Sequence, residues 1–410
     1  MIHVHIVSNS FFPLQGGMEK SIERISRSLS TISDFRVHLY VRNVETLENI
    51  NNQPFTLKSL HTLKRDIFEP CESYTDTYEN NKWKEKEAHK LEFLILKNEI
   101  FKTLSEFPND PHIMVSFYMS STGFFGQHVS KSLKIPHIVT VRGWDFCRDL
   151  YNLYSIGCID FVLKNADYII TTNKEQLESL KDLFLVDEKI STITNAVEPF
   201  FLEKPWIYQK KQTISLISDI GFYYAKGTHI LLKSFEILLS KGYPLTLKIL
   251  GKTETQNKSY WTNLKEKFKE NYQNSFFYSD FVESSEDLRT LLLNSDIYCS
   301  PTLGEGCSNA RIQALCVGIP MVTTQCSEIL DFYPLLNPKF IELSLPGEIE
   351  GFTSALEKII VKIQTHQIQR QDKDYNMILK NIFSFETEKI KWEKVIRETL
   401  KKFQSNLPKN

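Results

Sequence analysis

Residues 304–318 read Gly-Glu-Gly-Cys-Ser-Asn-Ala-Arg-Ile-Gln-Ala-Leu-Cys-Val-Gly. A lone carboxylate, Glu305, stands between two glycines, and Ser308 is placed to cap a helix. Asn309 and Gln313 then fall four residues apart, on one helical face. A carboxylate, a helix N-terminus and two amides gathered at one loop could meet a small, hydroxyl-rich ligand. The apolar runs 296–300 and 319–323 on either side read as buried strands, so the segment is strand, loop, helix, strand with its chemistry in the loop.

Three further loops have the same build. Gly16-Gly17-Met18-Glu19 joins an apolar strand at 2–7 to a helical pattern at Met18, Ile22, Ile25 and Leu29. Glycines there let a ligand approach the backbone, and the helix N-terminus offers N–H groups and partial positive charge to a phosphate. An ordinary tight turn has the same sequence. Residues 219–227, Asp-Ile-Gly-Phe-Tyr-Tyr-Ala-Lys-Gly, place Lys226 just before an apolar helix, where an ammonium can neutralise a diphosphate. Arg142-Gly143-Trp144-Asp145 follows the strand 138–141, and reads either as a ligand-bordering pair or as a strand-end turn with an ion pair. Thr194-Asn195-Ala196-Val197-Glu198 is a fainter turn of the same kind. His3, His5, His38, His112 and His137 lie in or beside strands, without metal-ligand spacing, and read as structural.

In this order the loops resemble the retaining GT-B glycosyltransferases of family four: Gly16-Gly17-x-Glu19, Arg142-Gly143-x-Asp145 for the family's His-Gly-x-Asp, the Lys226-Gly227 loop, and Glu305 with Gln313 eight residues on. The resemblance implies two Rossmann-like domains facing across a cleft, and metal-independent sugar transfer from a nucleotide diphosphate, with UDP or GDP as the base carrier. It implies Lys226 and Glu305 as catalytic residues. Donor binding falls to Gly16, Gly17, Arg142, Asp145, Gly306, Cys307, Ser308, Asn309 and Gln313. No cofactor and no metal are expected, and the resemblance implies a sugar or lipid-linked acceptor in surface polysaccharide or glycoconjugate assembly. Two departures stand out. The family's second glutamate is Gln313, which keeps a carbonyl acceptor but loses the charge, and an arginine usual five residues before the Lys-Gly pair is Gly221. They motivate an alternative, a catalytically weak or silent GT-B subunit with a binding or scaffolding role.

The elements that must position these loops follow from periodicity. Short apolar runs at 2–7, 37–41, 113–117, 138–141, 166–171 and 190–193, spaced for intervening helices, predict a doubly wound parallel sheet. A second alternating series begins at 213–217 and continues at 245–250, 275–278, 296–300 and 319–323. With the roles that the resemblance implies, the expected division is an acceptor-side domain over 1–200 with a variable insertion at 45–110, a nucleotide-sugar domain over 201–384, and a helix over 385–410 returning to the first domain. At 410 residues and 41% hydrophobic content the chain can fill two cores. Its 49 basic and 50 acidic residues give no case for nucleic acid. Seven cysteines without a C-x-x-C pair suit a reduced, cytoplasmic protein. No signal peptide or bilayer-length apolar run is evident. The stretch 81–107, apolar on one side and flanked by Lys82, Lys84, Lys86 and Lys90, could lie peripherally on the inner face of a membrane or pack into the first domain.

Overall fold

The computed structural model describes residues 1–11, 16–43, 53–60, 74–143, 145–153, 155–203, 205–209, 211–255, 257–280, 282, 284–369 and 373–406, with backbone only for 43, 74–89, 373, 374 and 376. Trp144 and the flanking side chains of Lys82, Lys84 and Lys86 lie outside the described residues. The chain forms two compact units. The first comprises Met1–Thr172, Gln176–Ile193 and Lys389–Asn410; the second comprises Asn173–Glu175 and Thr194–Glu388.

The first series of elements is β1 (Ile2–Ser10), α1 (Gly17–Ser30), β2 (Phe35–Asn43), β3 (Thr56–Ser59), α2 (Tyr74–Glu106), β4 (His112–Phe117), α3 (Ser121–Leu133), β5 (His137–Thr140), α4 (Ile156–Asn165), β6 (Tyr168–Thr171), α5 (Lys174–Phe184) and β7 (Ile190–Thr192). All seven strands pair in parallel, in the order β3-β2-β1-β4-β5-β6-β7. β1 lies near the middle and is buried along most of its length, which is why it reads as an apolar run and not as an alternation. The sheet extends further than the sequence pattern suggests. β3 falls inside the stretch read as a variable insertion, and its Thr-Leu-Lys-Ser carries no apolar run because no residue of this edge strand is fully buried.

The two faces of this sheet differ. Val4, Ile6, Leu39, Ile113 and Val115 share a core with Ile22 and Ile25 of α1. On the other face the register sets His5 beside His38 and His3 beside His112. These four imidazoles stack in a buried row, with ring centroids 4.6 Å apart for His3 and His112 and 5.0 Å for His5 and His38. They bond to one another, to Tyr40 and to Asp110. The structural reading of the histidines therefore holds for this row, and His137 is likewise bonded to Ser116 and Gln127.

The second series is β8 (Ile214–Ser218), α6 (Thr228–Ser240), β9 (Leu245–Leu250), α7 (Lys258–Asn271), β10 (Phe276–Ser279), α8 (Ser285–Leu293), β11 (Ile297–Ser300), α9 (Asn309–Val317), β12 (Met321–Thr324), α10 (Glu328–Phe332), β13 (Ile341–Ser344), α11 (Ile349–Gln364) and α12 (Lys373–Phe383). Its parallel sheet runs β10-β9-β8-β11-β12-β13, the same winding as in the first unit. Edge strand β13, Ile-Glu-Leu-Ser, was again not legible as a strand. The last helix, α13 (Phe385–Ser405), completes the first unit from Lys389 onward, where Trp392, Val395, Ile396 and Leu400 join the core around Val4 and Phe117.

Candidate active site

In a doubly wound sheet the loops leaving the two strands at which the winding reverses diverge and leave a crevice at the strands' carboxyl ends. In the second unit those strands are β8 and β11, and their loops are 219–227 and 301–308.

The two loops are stitched together. Leu303 donates its backbone N–H to the Ala225 carbonyl at 2.9 Å. Gly227 has a φ of +72°, and a Cβ there would come within 1.9 Å of the Pro301 carbonyl oxygen, so only glycine permits this approach. Lys226 and Glu305, one from each loop, form an ion pair, with Lys226 about a third exposed and Glu305 largely covered. Gly221, at the position of the missing arginine, has a φ of +66°, and its Cβ would lie 2.4 Å from the Lys252 carbonyl oxygen. A side chain at 221 is therefore excluded by the backbone itself.

Beyond Glu305 the chain enters α9. Ser308 caps it, its hydroxyl accepting the Arg311 N–H at 3.4 Å, and Gly318 ends it in the left-handed conformation. Asn195 donates to the Cys307 carbonyl at 3.1 Å and to the Asn309 side-chain oxygen at 2.9 Å. Asn173 donates to the Gly306 carbonyl. Gln313 sits one turn into α9, nearly buried. Thus Lys226, Glu305, Gly306, Cys307, Ser308, Asn309 and Gln313 are gathered at the loops and first turns of one unit.

Two contributors were not legible in the sequence. Arg311 and Glu328 are both fully buried and paired at 2.8 Å, and the Glu328 carboxylate also accepts the Ser308 N–H at 3.1 Å. Burial pushes the Glu328 carboxyl up, opposed by the guanidinium. The pair fixes the start of α9 from behind. Its one sequence signal is a charge in an otherwise uncharged helix, at Arg311. Ser327, with a φ of +62°, receives the Glu305 N–H on its hydroxyl at 3.1 Å, so a non-glycine residue in the left-handed region braces the carboxylate loop.

The remaining expected residues belong to the first unit. Gly16 is the N-cap of α1, and a Cβ there would lie 2.5 Å from the Glu19 carboxylate, which itself accepts from the Ser10 hydroxyl. Gly17 is the first residue of α1. Arg142 is buried, its guanidinium 4.6 Å over the Phe117 ring, with Nε donating to Thr140. Asp145 is fully buried, and its carboxylate accepts the backbone N–H groups of Met119 at 2.8 Å and Arg142 at 2.7 Å. Burial pushes its carboxyl up to about 6, against the pull of those donors. Here Asp145 ties two strand-end turns together.

Two parallel, doubly wound units, the second with strained, polar loops at its winding reversal, are the architecture of the GT-B glycosyltransferases, and solved structures agree. Sucrose-phosphate synthase from Thermosynechococcus elongatus superposes with a TM-score of 0.73 at 12% identity, covering 98% of this chain and 100% of that one. HepE from Anabaena, in complex with UDP, gives 0.71 at 12% identity over 97% and 100%. Residues 211–360 match the family glycosyl transferases group 1, so this chain carries a group 1 glycosyl transferase domain. Among curated relatives, Staphylococcus aureus CapM, a capsular polysaccharide biosynthesis glycosyltransferase, is 25% identical over 33% of this chain and 33% of its own length. Protein CapJ of the same organism is 23% identical over 67% of this chain and 68% of its own. The chain thus spans a third of the first relative's length and about two thirds of the second's.

Proposed function

We propose that the protein is a retaining, metal-independent glycosyltransferase that moves a sugar from a nucleotide diphosphate to a hydroxyl acceptor in surface polysaccharide assembly at the cytoplasmic face. The observation that carries this is the pairing of Lys226 with Glu305 beside the N-terminus of α9, at the winding reversal of the domain that matches the family. Lys226 and the α9 N–H groups meet the diphosphate as its bond to the anomeric carbon breaks. Glu305 and Asn309 hold the sugar hydroxyls, and Gln313 accepts from the ribose. The acceptor oxygen attacks on the face the diphosphate leaves, and its proton passes to the departing phosphate oxygen. UDP is favoured as the carrier because HepE is solved with UDP and with UDP-glucose.

A thermal-shift titration with UDP, GDP and ADP, repeated on Lys226→Ala, tests the reading. A nucleotide-selective shift weakened about ten- to a hundredfold in affinity by the mutation is expected, the value of one charged contact. An unchanged shift sinks the assignment of Lys226, and no shift with any nucleotide favours the silent-subunit reading, for which Gln313 and the closed position at Gly221 speak. Retention is read separately from the anomeric configuration of the product by NMR.

A further inference from the structure

The turn that braces the carboxylate loop carries a thiol. Between β12 and α10 the chain reads Gln325-Cys326-Ser327, and Ser327 clamps residue 305 by both of its backbone groups. The Ser327 hydroxyl accepts the Glu305 N–H at 3.1 Å and donates to the Glu305 carbonyl. Ser327 does this at φ +62° and ψ −144°, a region that costs any residue with a Cβ free energy and is kept only where the surroundings enforce it. What moves this turn therefore moves Glu305.

Cys326, half-buried, stands one residue before that clamp. Its sulfur lies 3.4 Å from the Thr324 hydroxyl, which gives its own hydrogen to the Thr302 carbonyl at 2.6 Å, so the thiol is the donor of the pair. Arg311 faces the same sulfur, with Nη1 3.7 Å away. This guanidinium is fully buried and short of acceptors. Nη2 meets Glu328 at 2.8 Å, but Nη1 reaches the Thr323 hydroxyl and the Cys326 carbonyl only at 3.5 Å, and Nε has no partner among the described residues. Buried donors left unmatched cost free energy, which an added acceptor oxygen recovers.

We propose that Cys326 is an oxidation site, converted by hydrogen peroxide to a sulfenic acid whose oxygen the Arg311 guanidinium holds, and that this modification loosens the Ser327 clamp on Glu305. The thiol gives up its proton and the thiolate sulfur attacks one peroxide oxygen. An S–O bond forms as the O–O bond breaks, and the departing hydroxide takes a proton to become water, so that sulfur is oxidised and peroxide reduced. The new oxygen is an acceptor beside donors that lack one. In reaching them it draws the turn toward Arg311, and the Ser327 conformation loses the surroundings that enforce it. Exposure alone favours Cys147, whereas the guanidinium at the sulfur favours Cys326. All of these contacts lie within the second unit, and the inference does not depend on the proposed function.

The test is graded oxidation of the full chain with hydrogen peroxide, followed by dimedone trapping and peptide mass spectrometry. Cys326 should be labelled about fivefold faster than the exposed Cys147. In the double variant Arg311→Met with Glu328→Leu, which removes the guanidinium without stranding its partner, that advantage should disappear. On untrapped samples, hydrogen exchange in the peptide spanning 303–308 should rise on oxidation and return with dithiothreitol. In Cys326→Ser, peroxide should leave that exchange unchanged. Preferential labelling of Cys147, a Cys326 rate that survives the double variant, or oxidation of Cys326 with unaltered exchange over 303–308 would overturn the proposal.

Discussion

Lys226 and Glu305 neutralise each other across two loops, so a diphosphate that binds Lys226 must displace a carboxylate. Glu305→Gln removes the competitor while keeping its shape. Nucleoside diphosphate affinity should rise several-fold, about 1 kcal/mol, while sugar transfer falls on the order of a hundredfold as a preorganised contact to the reacting sugar is lost. Calorimetry with UDP and the rate of donor consumption separate the two effects, and a parallel loss of both would contradict this account. The buried pair behind α9 behaves differently. Glu328→Ala strands the Arg311 charge and should cost about 3–5 kcal/mol, whereas the double change Arg311→Met with Glu328→Leu should recover most of it, read from urea unfolding. The contrast also marks what was legible. Glu305 and Ser308 announce themselves through adjacent glycines and a cap, local signals that survive in one dimension. Arg311 and Glu328 meet only after β12 has been laid beside β11, and Asn195 reaches Cys307 across more than a hundred residues.

At the scale of elements, central strands are readable because burial on both faces demands apolar runs; of the edge strands, β7 and β10 still carry apolar residues, while β3 and β13 keep mixed compositions that hide them. The histidine row is a property of the sheet, since parallel register alone aligns His3 and His5 with His112 and His38. Burial holds these imidazoles below the usual histidine range, to about 3 for His38 and for His137 on β5. They are therefore neutral in the folded sheet, and their contribution is fully present above about pH 6.5. As pH falls below that value the unfolded chain takes up protons that the folded one refuses. Between pH 7.5 and 5.5 each fully buried histidine should cost the fold about 1 kcal/mol. Urea midpoints should fall over this range, and hydrogen exchange should place the loss in β1, β2 and β4. A flat stability profile from 7.5 to 5.5 would contradict neutral burial.

At the scale of the whole molecule, the same winding is used twice, and the alternation of strand and helix that generates it was readable over both halves. The assignment of segments to units is less regular, since the first unit takes its last helix from the far end of the chain. Ending the chain after Glu388 should remove Trp392 and Ile396 from the core around Phe117. We expect protection in β1 and β4 to drop while the UDP-induced shift of the second unit persists, checked by hydrogen exchange with and without UDP. That arrangement also sets an order of events during synthesis. The ribosome delivers the first unit's sheet well before the residues that close one of its faces, which follow the whole of the second unit's sheet. Until they emerge, an apolar surface must stay open through the translation of some two hundred residues, a window in which a chaperone, or a neighbouring nascent chain, can occupy the place reserved for α13.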